Sequence, residues 1–216
     1  PHPTFLLTIF TPQSLTKPLA VLTATAKHRL LSADITTPLL LAPSNASLPA
    51  TLSSLHQPSA AIPLDTFVQI LEILDVGSSK WEQISTLESE RKGETTKGRE
   101  IIRVLPPAAG EHDRGSTAAT QHIAPPPPPT GPSNPTLGPH KVLLQDMKGT
   151  KIWGFEFTRI IGLGGASIGC KMWLRKGCRV ARGMVLLEPG SCGVVGGKIE
   201  GLDRGWREGK EGRLRA

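Results

Sequence analysis

Five basic residues fall within twelve positions, Lys171, Arg175, Lys176, Arg179 and Arg182, and form a dense cationic run with no acidic residue in it. Ammonium and guanidinium groups at this spacing can track the phosphates of a nucleic acid, and the same spacing equally fits a solvated hairpin. Trp153, Phe155, Phe157 and Trp173 are the aromatic side chains in the later strand-like sequence that could serve as stacking platforms. Stacked on a base, each would contribute roughly 1–3 kcal/mol. Trp153, Phe155 and Phe157 alternate, so they share one side of a strand and are equally placed to be core. A glycine cluster, Gly162-Leu163-Gly164-Gly165-Ala166-Ser167, resembles a dinucleotide loop. However, the third glycine position holds Ser167, and strand-like sequence follows where a helix N-terminus must receive the pyrophosphate. It reads as an interstrand loop.

Catalysis needs a nucleophile with a base, a carboxylate pair or a metal cluster. The six histidines are His2, His28, His56, His112, His122 and His140, and all but His28 fall in loop-like sequence. No carboxylate pair stands out. Cys170, Cys178 and Cys192 are odd in number and spaced as neither a zinc site nor a disulfide framework, and they read as buried or idle thiols in a reducing compartment. The expectation is a protein that is not an enzyme and carries no cofactor or metal.

The elements that must position these residues are mostly strands. Phe67–Val76 alternates apolar and mixed positions between Ile62-Pro63 and Gly77-Ser78-Ser79, a strand's length rather than a helix's. Lys80–Ile84 is expected to continue it beyond a glycine kink. Lys141–Met147, Lys151–Ile161 (with Gly154 as a bulge), Cys170–Leu174 and Val185–Leu187 follow, with a short Val194-Val195 strand closing the corner. The fold class expected is therefore mainly β, a five-stranded oligonucleotide/oligosaccharide-binding (OB) barrel. Before it, a short helical segment spans residues 1–60. Thr4–Ile9 is its first piece, and Pro18–Ile35 forms a helix with Leu19, Leu22, Ala26 and Leu30 on one stripe. After the barrel domain (61–200), a basic helix covers 201–216, with Ile199, Leu202 and Trp206 on its apolar face.

Between the first two barrel strands, residues 93–139 show no strand or helix period. Loops beyond about 12–15 residues tend to be functional or disordered, and the run Pro125–Pro129 reads as a spacer within a disordered insertion. Its one aliphatic island, Ile101, Ile102, Val104 and Leu105 before Pro106-Pro107, either folds back on the barrel or docks onto something else.

Twenty prolines and 23 glycines make up a fifth of the chain, so not all 216 residues belong to a packed core. The net charge of +7 is concentrated in Lys141–Ala216, where 15 basic and 7 acidic residues give +8. That imbalance points to a polyanion or an acidic protein surface as neighbour. No window reaches the ~18 apolar residues of a membrane span. The N-terminus lacks the charged region of a signal peptide. The chain begins at Pro1 rather than Met, and is expected to be a piece of a longer protein.

Arg179–Glu200 contains VLLEP, a short spacer and VVGGKIE. With AKHRLLSADIT (26–36), LEILDVGSS (71–79), KVLLQDMKGTKIWGFEF (141–157) and GCKMWLRKGCRVARGMVLLEP (169–189), it resembles the RecQ-mediated genome instability protein 1 family. The resemblance implies a non-catalytic nuclear subunit whose OB domain binds type IA topoisomerase III alongside a RecQ-family helicase. It also implies that the loop between the first two strands reaches into the topoisomerase gate and favours double Holliday junction dissolution. On that reading Ile101, Ile102, Val104 and Leu105 dock onto the topoisomerase, and the basic run contacts DNA weakly and electrostatically. The other reading is an OB module that binds single-stranded nucleic acid directly.

Overall fold

The computed structural model describes residues 1–10, 16–92 and 138–216. Two helices come first, α1 (Pro3–Leu7) and α2 (Leu19–Ser32), followed by a 3-10 turn at Ala50–Ser53. Strands β1 (Ala60–Ala61) and β2 (Thr66–Asp75) lead into helix α3 (Lys80–Lys92). After the undescribed segment come β3 (His140–Asp146), β4 (Lys151–Glu156), β5 (Lys171–Leu174), β6 (Arg179–Ala181), β7 (Met184–Leu187) and β8 (Cys192–Gly196). Helices α4 (Glu200–Glu208) and α5 (Lys210–Arg215) complete the chain.

All eight strands among the described residues join one sheet, in the order β1-β6-β7-β4-β3-β2-β5-β8. The sequence leads to an expectation of five, and the difference has a simple origin. Strands β5 and β6 are separated only by residues 175–178, and β7 and β8 only by 188–191, yet each pair sits at opposite ends of the sheet order. Two four-residue corners therefore pull the ends together, and the sheet curls. Backbone bonds hold those corners, from Arg175 N–H to the Ser191 carbonyl and from Cys192 N–H to the Glu188 carbonyl. Strand β4 pairs parallel with β7; the other pairings are antiparallel.

The interior follows from the period-2 pattern. Val68, Ile70, Ile73, Val142, Leu144, Ile152, Met172, Leu174, Val180, Val185 and Leu187 turn inward and are buried. Gly154 is not a bulge: it keeps register opposite Val142 on β3 and Val185 on β7. It is glycine for space, because a Cβ there would lie 3.0 Å from Leu187 Cδ1 and 3.3 Å from Leu144 Cδ1. Register shifts fall instead on β2, between Ile70 and Glu72, and on β5, between Lys171 and Met172.

Lys80–Ile84 does not continue the strand; it opens α3. Ser79 ends the extended chain by accepting the Glu82 N–H on its hydroxyl (3.1 Å), and Glu82 sits three residues beyond this cap, the serine–glutamate spacing of a helix start. The sequence here satisfies a cap more strongly than a strand. Gly77 and Gly138 touch at the root of the insertion, where a Cβ on Gly77 would stand 2.4 Å from the Gly138 Cα. Helix α2 buries Leu22 alone, and Leu19 is 75% exposed, so the expected apolar stripe is not a core face. At the C-terminus the helix is two pieces meeting at Gly209. Its deepest residue is Asp203, while Leu202 remains exposed.

Buried carboxylates tie the irregular segments to this sheet. Asp146 accepts the Leu48 N–H on Oδ2 (2.7 Å) and the Lys148 and Thr150 N–H groups on Oδ1 (2.9 and 2.8 Å). Glu156 accepts the His140 and Ile160 N–H groups (2.9 and 2.7 Å), and Asp203 accepts that of Ile168 (3.0 Å). Replacing Asp146 with Ala orphans three backbone donors, and is expected to cost about 2–4 kcal/mol in chemical denaturation. A loss below about 1 kcal/mol would show that the carboxylate is dispensable to the fold.

Candidate partner and nucleic-acid interface

The outward sides of β2 and β5 are partly roofed. Gln69 and Lys171 point away from the core, yet both are buried, because residues 33–36 lie across them. Gln69 Oε1 accepts the Ile35 N–H (2.9 Å), while its amide donates to Asp34 Oδ1 (2.9 Å) and Gln145 Oε1 (3.3 Å). The Lys171 ammonium donates to the Ala33 and Gly169 carbonyls, both at 2.7 Å. Burial pulls the Lys171 pKa down to about 8, with the Asp34 carboxylate opposing the shift. Burial also works to raise Asp34, but hydrogen bonds from Thr36 and Gln69 outweigh it and hold the carboxyl below its ordinary value. By sequence Lys171 belongs to the phosphate-tracking run. In the fold it is a buried strut instead.

The rest of that run is exposed. The Arg175 guanidinium lies over the Trp173 ring, 4.7 Å from its centroid. The other side of the indole rests on Gly193, where a Cβ would come within 2.6 Å of the ring. Trp173 is therefore sandwiched and is not an open shelf for a base; Phe67, its cross-strand partner, is the exposed aromatic there. Lys176 donates its backbone N–H to Asp65 (2.7 Å) and leaves its side chain in solvent. Arg179 pairs with Glu188 (2.7 Å) and sits 5.7 Å over the Phe157 ring. Arg182 adopts φ +47° in the β6–β7 turn, with its N–H bonded to the Gln57 carbonyl.

On β4 the buried positions are Ile152, Gly154 and Glu156, so Trp153, Phe155 and Phe157 face outward and do not fill the core. Across the sheet they extend into two rows. Leu74, Lys141, Phe155 and Leu186 form one, and Glu72, Leu143, Trp153, Met184 and Ala181 the other. The Lys141 ammonium covers Trp153 at 4.5 Å. Beyond β4 a loop carries Phe157, 60% exposed, and Ile161, 94% exposed. This loop borders a groove lined by Gly138, His140, Glu156, Arg159, Ile161 and the glycines 162, 164 and 165. His140 Nδ1 and Glu156 Oε2 meet at 2.6 Å at its base. Sequence reasoning missed Ile161 because Ile160-Ile161 reads as a continuing strand; Ile160 alone turns inward.

Burial raises all three thiols, Cys192 to about 11, which keeps them protonated. Among the described residues no group of three or more His, Cys, Asp or Glu could hold a metal ion, and no helix is long and apolar enough to cross a membrane. Ile101, Ile102, Val104 and Leu105 lie outside the described residues.

A curled sheet whose outward face is roofed over β2 and β5 and aromatic over β4 defines a mainly β fold. It is an OB fold: residues 48–210 match the family described as "RMI1, N-terminal OB-fold domain", and the chain belongs to that family. RecQ-mediated genome instability protein 1 of Schizosaccharomyces pombe is 25% identical over 166 residues, covering 74% of this chain and 66% of that protein. The chain thus spans just under two thirds of that relative's length.

The buried ammonium gives a pH signature. Below about pH 8 both the folded and unfolded states hold the Lys171 proton, so the cost of burying the charge stands in full. Between about 8 and the ordinary 10.5 the unfolded state binds more protons, and stability must rise with pH through this group. Relative to Lys171→Met, the wild-type chain should gain on the order of 1–3 kcal/mol across that window, measured by denaturant titration. A flat or falling difference would mean that the ammonium is not desolvated.

Proposed function

We propose that this chain is a non-catalytic OB-fold subunit acting in RecQ-associated genome maintenance in the nucleus. It binds type IA topoisomerase III beside a RecQ-family helicase and promotes decatenation and double Holliday junction dissolution. The observation that carries this reading is the family match across residues 48–210. The open side of the sheet supports it: half-buried Trp153, Phe155, Leu143, Met184 and Leu186 form a continuous band suited to burial against another protein. The aliphatic residues Ile101, Ile102, Val104 and Leu105 in the insertion supply a second, separately tethered contact. In this reading the chemistry belongs to the partner enzyme.

DNA contact in this reading is weak and electrostatic. Arg175, Lys176 and Arg182 reach solvent without an ion pair among the described residues, whereas Trp173 offers no free ring face. Direct single-strand binding through stacking on Trp173 is correspondingly disfavoured.

Purified topoisomerase III should bind the chain directly and decatenate DNA faster in its presence, while the chain alone leaves catenanes untouched. Failure of the two proteins to associate would sink the reading. Binding to single-stranded DNA should weaken steeply with salt. Replacing Arg175 and Lys176 with Ala should lower the log–log salt slope by about 0.7 for each phosphate no longer neutralised. Salt-resistant binding that collapses on Trp173→Ala would instead favour base stacking.

A further inference from the structure

We infer that Ile161, presented with Phe157 beside Arg159, is an anchor that enters an apolar pocket with a carboxylate at its rim on the protein partner, the topoisomerase of the proposed function. The inference rests on that reading for the partner's identity; the anchor rests on geometry.

Ile161 is 94% exposed, although the residues on either side of it are fixed inward. Ile160 is 5% exposed and its N–H is held by Glu156 Oε1 at 2.7 Å, and Leu163 is 0% exposed. The Leu163 and Ala166 N–H groups close onto the Ile160 and Leu163 carbonyls, at 3.2 and 3.0 Å. Gly162, at φ +85°, makes the reversal between the two buried side chains. The loop therefore cannot turn Ile161 into the core without lifting Ile160 or Leu163 out of it. An apolar side chain held outward on a rigid loop binds with little ordering cost, the property of an interface anchor.

Two further observations specify the occupant. Phe157, four residues earlier, is 60% exposed, tied to the sheet by its N–H on the Leu187 carbonyl (3.0 Å) and overlain by the Arg179 guanidinium. Arg159 lines the same groove as Ile161. The charge of Arg179 is met by Glu188, so Arg159 is the cation that flanks the apolar pair, complementary to a pocket with a carboxylate at its rim. Gly138 also lines the groove, so the chain re-enters the fold from the insertion beside Ile161.

The test is direct binding of purified topoisomerase III to the full chain by titration calorimetry, with thermal melting of each variant. Ile161→Ser should weaken binding by roughly tenfold or more, as removal of a buried anchor does, with the Tm within about 2 °C of the wild type. Arg159→Glu should weaken it as well, by repulsion from the carboxylate rim. Leu19→Ser, on an exposed side chain of α2, should change neither. Equal binding by wild type and Ile161→Ser overturns the anchor and leaves the proposed function standing. No binding by the wild type overturns both. A Tm lowered by several degrees in Ile161→Ser overturns the anchor too, because the side chain is then covered by this chain's own segment.

Discussion

Asp146 sets the geometry on which the rest depends. One carboxylate, fully buried, receives backbone N–H groups from Leu48, Lys148 and Thr150. Two of these shape the β3–β4 turn, and the third ties in a segment 98 residues away in sequence. A buried carboxylate is tolerable only when its oxygens are satisfied, and here backbone donors do so where no sheet partner exists. Glu156 and Asp203 repeat the device, fixing the loop after β4 and the start of α4. The irregular chain around the sheet is held by buried acceptors at the ends of β3 and β4 and on α4. These segments have little core of their own.

That arrangement decides which side of the sheet is free. Residues 33–36 roof Gln69 and Lys171, and the roof is itself polar, built from Asp34, Gln69, Gln145 and the Lys171 ammonium. The side facing out from β4 and β7 has no such network. Its aromatic and aliphatic rows are half-buried among themselves, and the loop after β4 ends in an isoleucine that the fold keeps out of its own core. Binding capacity therefore follows from where hydrogen-bond networks stop.

Much of the sheet is legible from period and punctuation. Phe67–Val76 and Lys141–Met147 stand close to the observed strands because alternation and flanking Gly or Pro agree there. Legibility fails where two local rules compete. Ser79 with Glu82 is a helix start that the glycine kink masks. Gly154 reads as a bulge, but its cause is a contact with Leu187 and Leu144 that no local window contains. Lys171 shows the same limit for the candidate site. Within the cationic run nothing separates it from Arg175; only a roof supplied from residues 33–36 makes one a strut and the other a surface charge.

The basic composition of the last third must be discounted in the same way. Of its cations, Lys171 is buried, Arg179 faces Glu188, and Lys198 and Arg207 converge on Asp203. Arg213 lies over Trp206, and Arg215 pairs with Glu88 and Glu211. Exposed pairs of this kind contribute little to stability, but each lowers the local potential available to a polyanion. The excess of +8 therefore does not describe one continuous phosphate track. What stays open to a partner includes Arg159, Arg175, Lys176 and Arg182, with Lys148, Lys151 and Arg204 exposed elsewhere on the surface. In the proposed reading, cations so placed steer and orient a protein partner more than they hold a nucleic acid, and the apolar band with the proposed isoleucine anchor carries the greater weight.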